Sequence, residues 1–431
     1  MDPSSLPPAR EIPSAFTASL RSWWSVGEKQ SAIAEERLLR RLPFFRGSSS
    51  SASNVSEPVV ATSSLVQLSK PHHYLNMLSI KATSPSPDAP PPAVVLHGYG
   101  AGLGFFFHNF PPLAEWAARR GSSVFALDWL GMGRSARVPF TVKAKRDNVQ
   151  ARVAEAESFF IDSLEEWRTQ MKLPKVTLIG HSLGAYFSVA YALKYPDRVH
   201  RLILLSPAGV PRGPNYTEPS REVMDDQEQT MASGSSTDGS KNVKSPAREK
   251  ASFHRATKGR VESIREEQKE TKKQESRTRK LLTYLWEEGW SPFQVVRSTL
   301  FWGPMLIGKY SSRRFSGLTP DETRDMHDYI MNITLAKGSG EYCISHILEP
   351  GAHARLPLVD RIDALKKDLP VTFVYGDHDW MDPVGGEDSI RKLKKSGNPN
   401  GKMYIVEGAG HHVYLDNKDA VNDLLVAELD R

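Results

Sequence analysis

Ser182 lies in Gly180-His181-Ser182-Leu183-Gly184, between the aliphatic run Val176 to Ile179 and an apolar-periodic segment that continues to Tyr195. The order is strand, sharp turn, helix, with a hydroxyl at the apex. Small residues at both glycine positions let two closely approaching elements meet and leave the serine projecting above a sheet, as a nucleophile elbow requires. A serine hydroxyl at its free pKa is a poor nucleophile and needs an adjacent base. Two histidines, His411 and His412, follow Gly408-Ala409-Gly410, and three carboxylates able to orient an imidazole, Asp377, Asp379 and Asp382, follow the run Val371 to Tyr375. The segment His97-Gly98-Tyr99-Gly100-Ala101-Gly102 comes directly after Ala93 to Leu96. Glycines at that density let backbone N–H groups face a ligand closely, where an oxyanion hole would be needed. No Gly-Lys-Ser/Thr follows, so a nucleotide P-loop is excluded.

Groups spread this far along the chain need a sheet to gather them. The sequence reads as an edge strand at Asn76 to Ala82, then buried strands at Ala93 to Leu96, Ser123 to Leu127, Val176 to Ile179, Arg201 to Leu205, Val371 to Tyr375 and Met403 to Val406. Helical patterns lie between them at Leu113 to Arg120, Ala151 to Lys172, after Ser182, and at about Lys418 to Leu429. This alternation implies βαβ units, hence an α/β protein with a mostly parallel sheet and right-handed crossovers. Asp128, at the start of a Gly-containing turn after its strand, reads as structural.

The organisation expected along the chain has five parts. Residues 1–70 read as a weakly structured leader with one island, Phe16 to Phe45, where Leu20, Trp23, Trp24, Ile33, Leu38, Leu39 and Leu42 mix with basic side chains as in an interfacial helix. Trp23 and Trp24 suit a headgroup boundary, and equally a staple docked on the folded body. Residues 71–213 form the first part of the core. Residues 214–280 are dominated by Ser, Gly and charged side chains and read as a disordered insertion with at most a transient helix near Ser252 to Arg279. Residues 281–355, with Trp286, Trp290, Phe301 and Trp302 broken by Pro292 and Pro304, read as a helical lid over a greasy pocket. Residues 356–431 complete the core.

Composition narrows the function classes. The net charge of +6 over 431 residues is mild, and the basic residues are scattered among acids, which makes nucleic acid a poor partner. An anionic membrane surface is compatible with it. The lone Cys343 excludes an intrachain disulfide framework. No stretch reaches the roughly 18 apolar residues of a spanning helix, so contact with a membrane would be peripheral. The motifs call for no cofactor and no metal.

The chain order Ser182, then Asp379 or Asp382, then His411 resembles that of the α/β-hydrolase fold family, and the resemblance covers residues from about 75 to 430 apart from the insertion. It implies an eight-strand-type, mostly parallel sheet flanked by helices, with a helical lid inserted after the sixth strand. A finer resemblance is carried by Trp286-Glu287-Glu288-Gly289-Trp290-Ser291-Pro292, Gly303-Pro304, Tyr310 with Arg313-Arg314-Phe315, and His411 to Asp416, a His-x4-Asp signature. These are similar to a lipid-acting subfamily that includes the lipid-droplet lipase coactivator, lysophosphatidic acid acyltransferases and fungal cardiolipin-specific deacylases. The coactivators lack the serine that is present here. By this resemblance Ser182 is the nucleophile, His411 the base with His412 its rival, Asp379 the acid with Asp382 the alternative, and the backbone N–H groups of Leu183 and Tyr99, backed by Gly100, form the oxyanion hole. His411 with Asp416 is the signature linked to acyl transfer, although an acid at a helix start is also favoured as a cap. The expected protein is an acyl-ester hydrolase of phospholipids, cardiolipin-type included. A lysophosphatidic acid or lysophospholipid acyltransferase and a non-catalytic lipid-binding lipase regulator stand as alternatives. The expected address is intracellular, on a peripheral membrane, with the mitochondrial inner membrane or matrix side ahead of lipid droplet or endoplasmic reticulum.

Overall fold

The computed structural model describes residues 6–47, 57–213, 253–256, 259, 261, 263, 285–286 and 288–431. Through these residues runs a nine-stranded sheet in the order β1 (Val59–Gln67), β2 (Tyr74–Ala82), β4 (Ser123–Leu127), β3 (Ala93–Leu96), β5 (Val176–His181), β6 (Val199–Leu205), β8 (Val371–Gly376), β9 (Gly401–Val406) and β7 (Phe253–Arg255). From β4 to β9 along that order the strands are parallel, while β1, β2 and β7 join antiparallel at the two ends. Strands β3, β5 and β8 are buried at every position, because a parallel sheet is covered on both faces and its strands read as continuous apolar runs.

One face is covered by α4 (Val149–Gln170) and α5 (Leu183–Lys194), whose Phe160, Leu164, Trp167 and Phe187 pack with Val94, Leu178 and Leu204 of the sheet. The start of α4 is set by Asn148, whose side chain accepts the Ala151 N–H at 3.1 Å. The other face is covered by α3 (Phe110–Arg120) and α12 (Lys418–Leu429), with Phe110, Trp116, Leu424 and Leu425 in its core. Between β6 and β8 come α6 (Pro292–Ser298), α7 (Gly303–Arg314), α8 (Pro320–Leu335) and α9 (Ile344–Ile347). The prolines expected to break this region stand at the first turns of α6 and α7, where a missing N–H costs nothing. Helices α10 (Val384–Lys395) and α11 (Val413–Asp416) follow β8 and β9.

Three expectations change. The weakly structured leader is, over its described residues, ordered: α1 (Phe16–Trp24), α2 (Glu28–Leu39) and β1 all belong to the folded body. Ala34, Leu38 and Leu39 of α2 are core residues. Arg37 Nη1 meets Asp328 Oδ2 of α8 at 2.9 Å, Arg41 pairs with Asp325, and Arg10 Nε reaches Asp328 Oδ1 at 2.7 Å. Those acids lie far along the chain, so the leader's own composition holds no record of them. The strand at Tyr74–Ala82 is no edge strand, since β1 pairs along its whole length. Most of 214–280 lies outside the described residues, but Phe253–Arg255 pairs with Val406, Ile405 and Tyr404 as an edge strand, a pairing specified by the partner strand and invisible in local composition.

Candidate active site

The elbow is built by close approach. Ser182 holds φ 50° and ψ −116°, a conformation that is costly for a side chain and persists where the surroundings enforce it. A Cβ at Gly180 would come within 2.6 Å of the Gly184 carbonyl oxygen, and one at Gly184 within 2.4 Å of the His97 carbonyl oxygen. Either would push apart strand, turn and helix. With the turn closed, Ser182 Oγ lies 3.0 Å from His411 Nε2, and His411 Nδ1 lies 3.1 Å from Asp379 Oδ1. A Ser–His–carboxylate arrangement needs these two contacts.

Rivals for two of those positions are placed elsewhere. Asp382 Oδ1 accepts the Val384 N–H at 2.9 Å just before α10, so the alternative acid is not the one on His411. Asp377 Oδ1 accepts from Ala409 N at 3.1 Å and sits 2.7 Å from His378 Nδ1. The His412 ring stacks on Phe105, with centroids 6.3 Å apart. Burial, with Arg314 nearby, pushes its pKa well below the ordinary histidine value.

Leu183 is the first residue of α5, so its N–H has no carbonyl within the helix to bond and faces outward at the positive end of the helix dipole. It lines one cavity with Tyr99, Gly100, Ser182 and His411. The loop carrying Tyr99 is fixed by its neighbours: His97 Nδ1 donates to Gly98 O at 2.7 Å, His97 Nε2 accepts the Trp129 N–H at 3.2 Å, and Asp128 Oδ1 accepts the Leu103 N–H at 2.7 Å. Asp128 is structural, as its sequence position suggested.

One role was not read from the sequence, and the structural role expected of Asp416 takes another form. His181, inside the elbow motif, stands with Nε2 3.0 Å from the His411 carbonyl oxygen. The partner is an acceptor, so Nε2 carries the proton; burial, followed by the neighbouring His411, holds the His181 pKa well below the usual range. His181 thereby ties the backbone of one loop to the elbow. Asp416 does not reach the His411 ring by a hydrogen bond. Its Oδ2 accepts the Gly410 N–H at 3.0 Å and its Oδ1 accepts from Arg314 Nη1 at 2.9 Å. The second residue of the His-x4-Asp signature therefore braces the turn that presents His411.

The cavity above Ser182 has a volume of about 200 Å³ and is walled by Trp286, Phe293, Ile307, Tyr310, Ile330 and Met381, among others. Of the four aromatic residues expected over a pocket, Trp286 is there, its indole N–H bonded to Leu348 O at 3.1 Å. Trp290, Phe301 and Trp302 do not line it. Phe301 and Trp302 turn outward in the short turn before α7 and pack on Phe16 of α1 with ring centroids 5.1 and 4.8 Å apart. Ser19 Oγ donates to Phe301 O at 2.6 Å and joins that turn to α1. Trp302 is 48% exposed, Trp290 37% and Trp24 80%. Phe293 also lies over the site, stacked on Tyr99 at 5.1 Å and so close to Gly100 that a Cβ there would fall 2.2 Å from its ring.

A family model described as alpha/beta hydrolase fold matches residues 91–418. A probable 1-acylglycerol-3-phosphate O-acyltransferase of Oryza sativa subsp. japonica is 34% identical over 341 residues, 78% of this chain and 66% of that protein. The human (lyso)-N-acylphosphatidylethanolamine lipase is 30% identical over 352 residues, 80% of this chain and 81% of that protein. The chain thus spans only 66% of the length of the rice relative and of a similar Arabidopsis thaliana 1-acylglycerol-3-phosphate O-acyltransferase. A solved structure from Bacillus subtilis aligns with a TM-score of 0.51 at 14% identity, over 93% of this chain and 98% of that one, and shares the fold alone. With the sheet order, the elbow and these matches in place, the chain belongs to the α/β-hydrolase fold family, among its lipid-acting members.

Proposed function

We propose that this chain is a serine acyl-ester hydrolase of membrane phospholipids that works through an acyl-enzyme on Ser182. The observation that carries the reading is the continuous contact from Ser182 through His411 to Asp379 beneath an apolar cavity. Ser182 Oγ attacks the ester carbonyl as His411 Nε2 takes its proton, and Asp379 holds the imidazole by Nδ1–H. The developing oxyanion is met by the backbone N–H groups of Leu183 and Tyr99. His411 returns the proton to the departing lysolipid oxygen. Water then attacks the acyl-enzyme, and Ser182 is restored.

A second reading is favoured by the rice and Arabidopsis relatives, whose names specify acyl transfer to 1-acylglycerol-3-phosphate. The same acyl-enzyme serves if a lysolipid hydroxyl replaces water in the second half. The narrowest form of the hydrolase reading, a cardiolipin-type deacylase, rests on the sequence resemblance. Incubating the protein with mixed phospholipids, with and without lysophosphatidic acid, separates these readings. Free fatty acid that accumulates without acceptor is the expected result. A new diacyl product only when acceptor is present favours the transferase, and neither product leaves a non-catalytic lipid-binding role.

Substrate of this kind is met at a lipid surface. The exposed apolar group of Phe16, Trp24, Leu300 and Trp302 beside helix α7 is the contact we assign to it. Trp23 sits against Trp24 with centroids 5.8 Å apart, and indole rings favour the headgroup boundary. The paired change Trp24→Ala with Trp302→Ala is expected to weaken co-sedimentation with anionic liposomes by about tenfold, equivalent to ~1.4 kcal/mol. Hydrolysis of a short water-soluble ester should be unaffected. Unchanged sedimentation would remove this surface from the account.

A further inference from the structure

The loop that offers Tyr99 and Gly100 to the site is braced by buried polar groups that lead away from it to the N-terminal helix α2. Asp128 is the hub. Its Oδ1 accepts the Leu103 N–H at 2.7 Å, and its Oδ2 accepts the Arg134 N–H at 2.7 Å and the Asn76 Nδ2–H at 2.8 Å. The same Asn76 amide donates to Glu35 Oε2 at 2.8 Å, and the Arg134 guanidinium donates to Glu35 Oε1 at 2.5 Å. On the far side Tyr329 of α8 receives the Gly104 N–H at 3.2 Å, and a Cβ at Gly102 would lie 2.2 Å from its hydroxyl. The loop is therefore gripped between Asp128 and Tyr329.

Glu35 is fully buried, and a buried carboxyl is costly unless paired and hydrogen-bonded. Burial pushes its pKa up to about 7, with Arg134 pulling the other way and Asp128 adding to the rise. The groups facing it are Arg134 and Asp128 from the turn after β4, Asn76 from β2 and Tyr329 from α8. Glu35 lies outside residues 91–418, which match the family model. It is the N-terminal segment's contribution to a device within the shared fold.

We propose that Glu35 is a positioning residue for the oxyanion loop: by holding Arg134 and Asn76 it fixes Asp128 against the Leu103 N–H, and so fixes the Tyr99 N–H over Ser182. Without Glu35 the Arg134 guanidinium loses its carboxylate and Asn76 loses one of its two acceptors, leaving Asp128 free to follow whichever donor moves. Oxyanion donors act at 2.7–3.1 Å from the developing charge, and a misplacement of about 1 Å far from the chemistry can cost about 10²-fold. That steepness lets Glu35 matter to the rate although it reaches the loop only through Arg134, Asn76 and Asp128.

The inference rests on the acyl-ester reading of Ser182, and its test keeps the two apart. The full-length wild type, Glu35→Ala and Glu35→Gln are compared by the second-order rate of labelling with a fluorophosphonate, by kcat and KM on a water-soluble ester, and by thermal midpoint. Glu35→Ala is expected to label about ten- to a hundredfold more slowly per folded chain, with kcat lowered and KM unchanged. Glu35→Gln, which keeps an acceptor oxygen, should recover to within about threefold of wild type. If Glu35→Ala does not fold, Glu35→Asp takes its place: its carboxylate is one methylene short of Arg134, and slowed labelling is again expected. A wild-type labelling rate per folded chain in Glu35→Ala or, where that does not fold, in Glu35→Asp, or a loss of activity accounted for wholly by unfolded protein, overturns the inference and leaves the acyl-ester reading standing. A wild type that does not label overturns both.

Discussion

Ser182→Ala is expected to lower kcat on any acyl ester on the order of 10⁶-fold, the scale seen when a nucleophile that works as a unit with its base is removed. His411 Nε2 is aimed at Ser182 Oγ at 3.0 Å, and the elbow that sets this geometry is closed on both sides by glycines with no room for a side chain. The change removes one oxygen from a nearly buried site, and Ala tolerates the same backbone conformation about as well as Ser. The thermal midpoint and liposome binding should therefore stay at wild-type values. A residual rate above water is expected, because the Leu183 and Tyr99 N–H groups still meet a polarised carbonyl. Turnover within tenfold of wild type would remove Ser182 from the chemistry.

Asp379→Asn should cost about 10⁴-fold in kcat, with KM little changed. The asparagine amide fits the site but can donate to His411 Nδ1, which turns the imidazole into the tautomer whose Nε2 carries a proton and cannot take another from Ser182. Asp382→Asn is the matched control. Its carboxylate accepts the Val384 N–H at the start of α10; an amide oxygen accepts it as well, so activity should remain within about threefold of wild type. Steady-state kinetics of the two variants side by side settles the acid. Equal losses, or a larger loss at Asp382, would contradict the geometry.

What could be read from the chain, and what could not, divides by how far the information travels. Strands β3, β5, β6, β8 and β9 announce themselves as short apolar runs, and each candidate functional loop follows one of them directly. Chain order then places Ser182, an aspartate and His411 with little ambiguity. The family resemblance puts Asp379 ahead and leaves Asp382 as the alternative; the contacts separate them, because the two are three residues apart and differ only in which way a turn points them. The helical island at Phe16 to Phe45 is legible, but its docking on the folded body is not, for a related reason. Glu35, Arg37 and Arg41 look like solvated charges on a helix face, yet their partners are Arg134, Asp325 and Asp328. The aromatic lid residues divided by direction: Pro292 and Pro304 mark where the chain breaks, but not that Trp286 turns inward while Phe301 and Trp302 turn out onto α1.

The two readings of substrate share one central claim, that Ser182 becomes covalently acylated. The measurement closest to it is intact-protein mass after reaction with a fluorophosphonate, followed by peptide mapping of the adduct. One adduct per chain, located on Ser182, absent from Ser182→Ala and strongly slowed in Asp379→Asn, is the expected result. A protein that stays unmodified, or carries its adduct on another residue, would contradict the account.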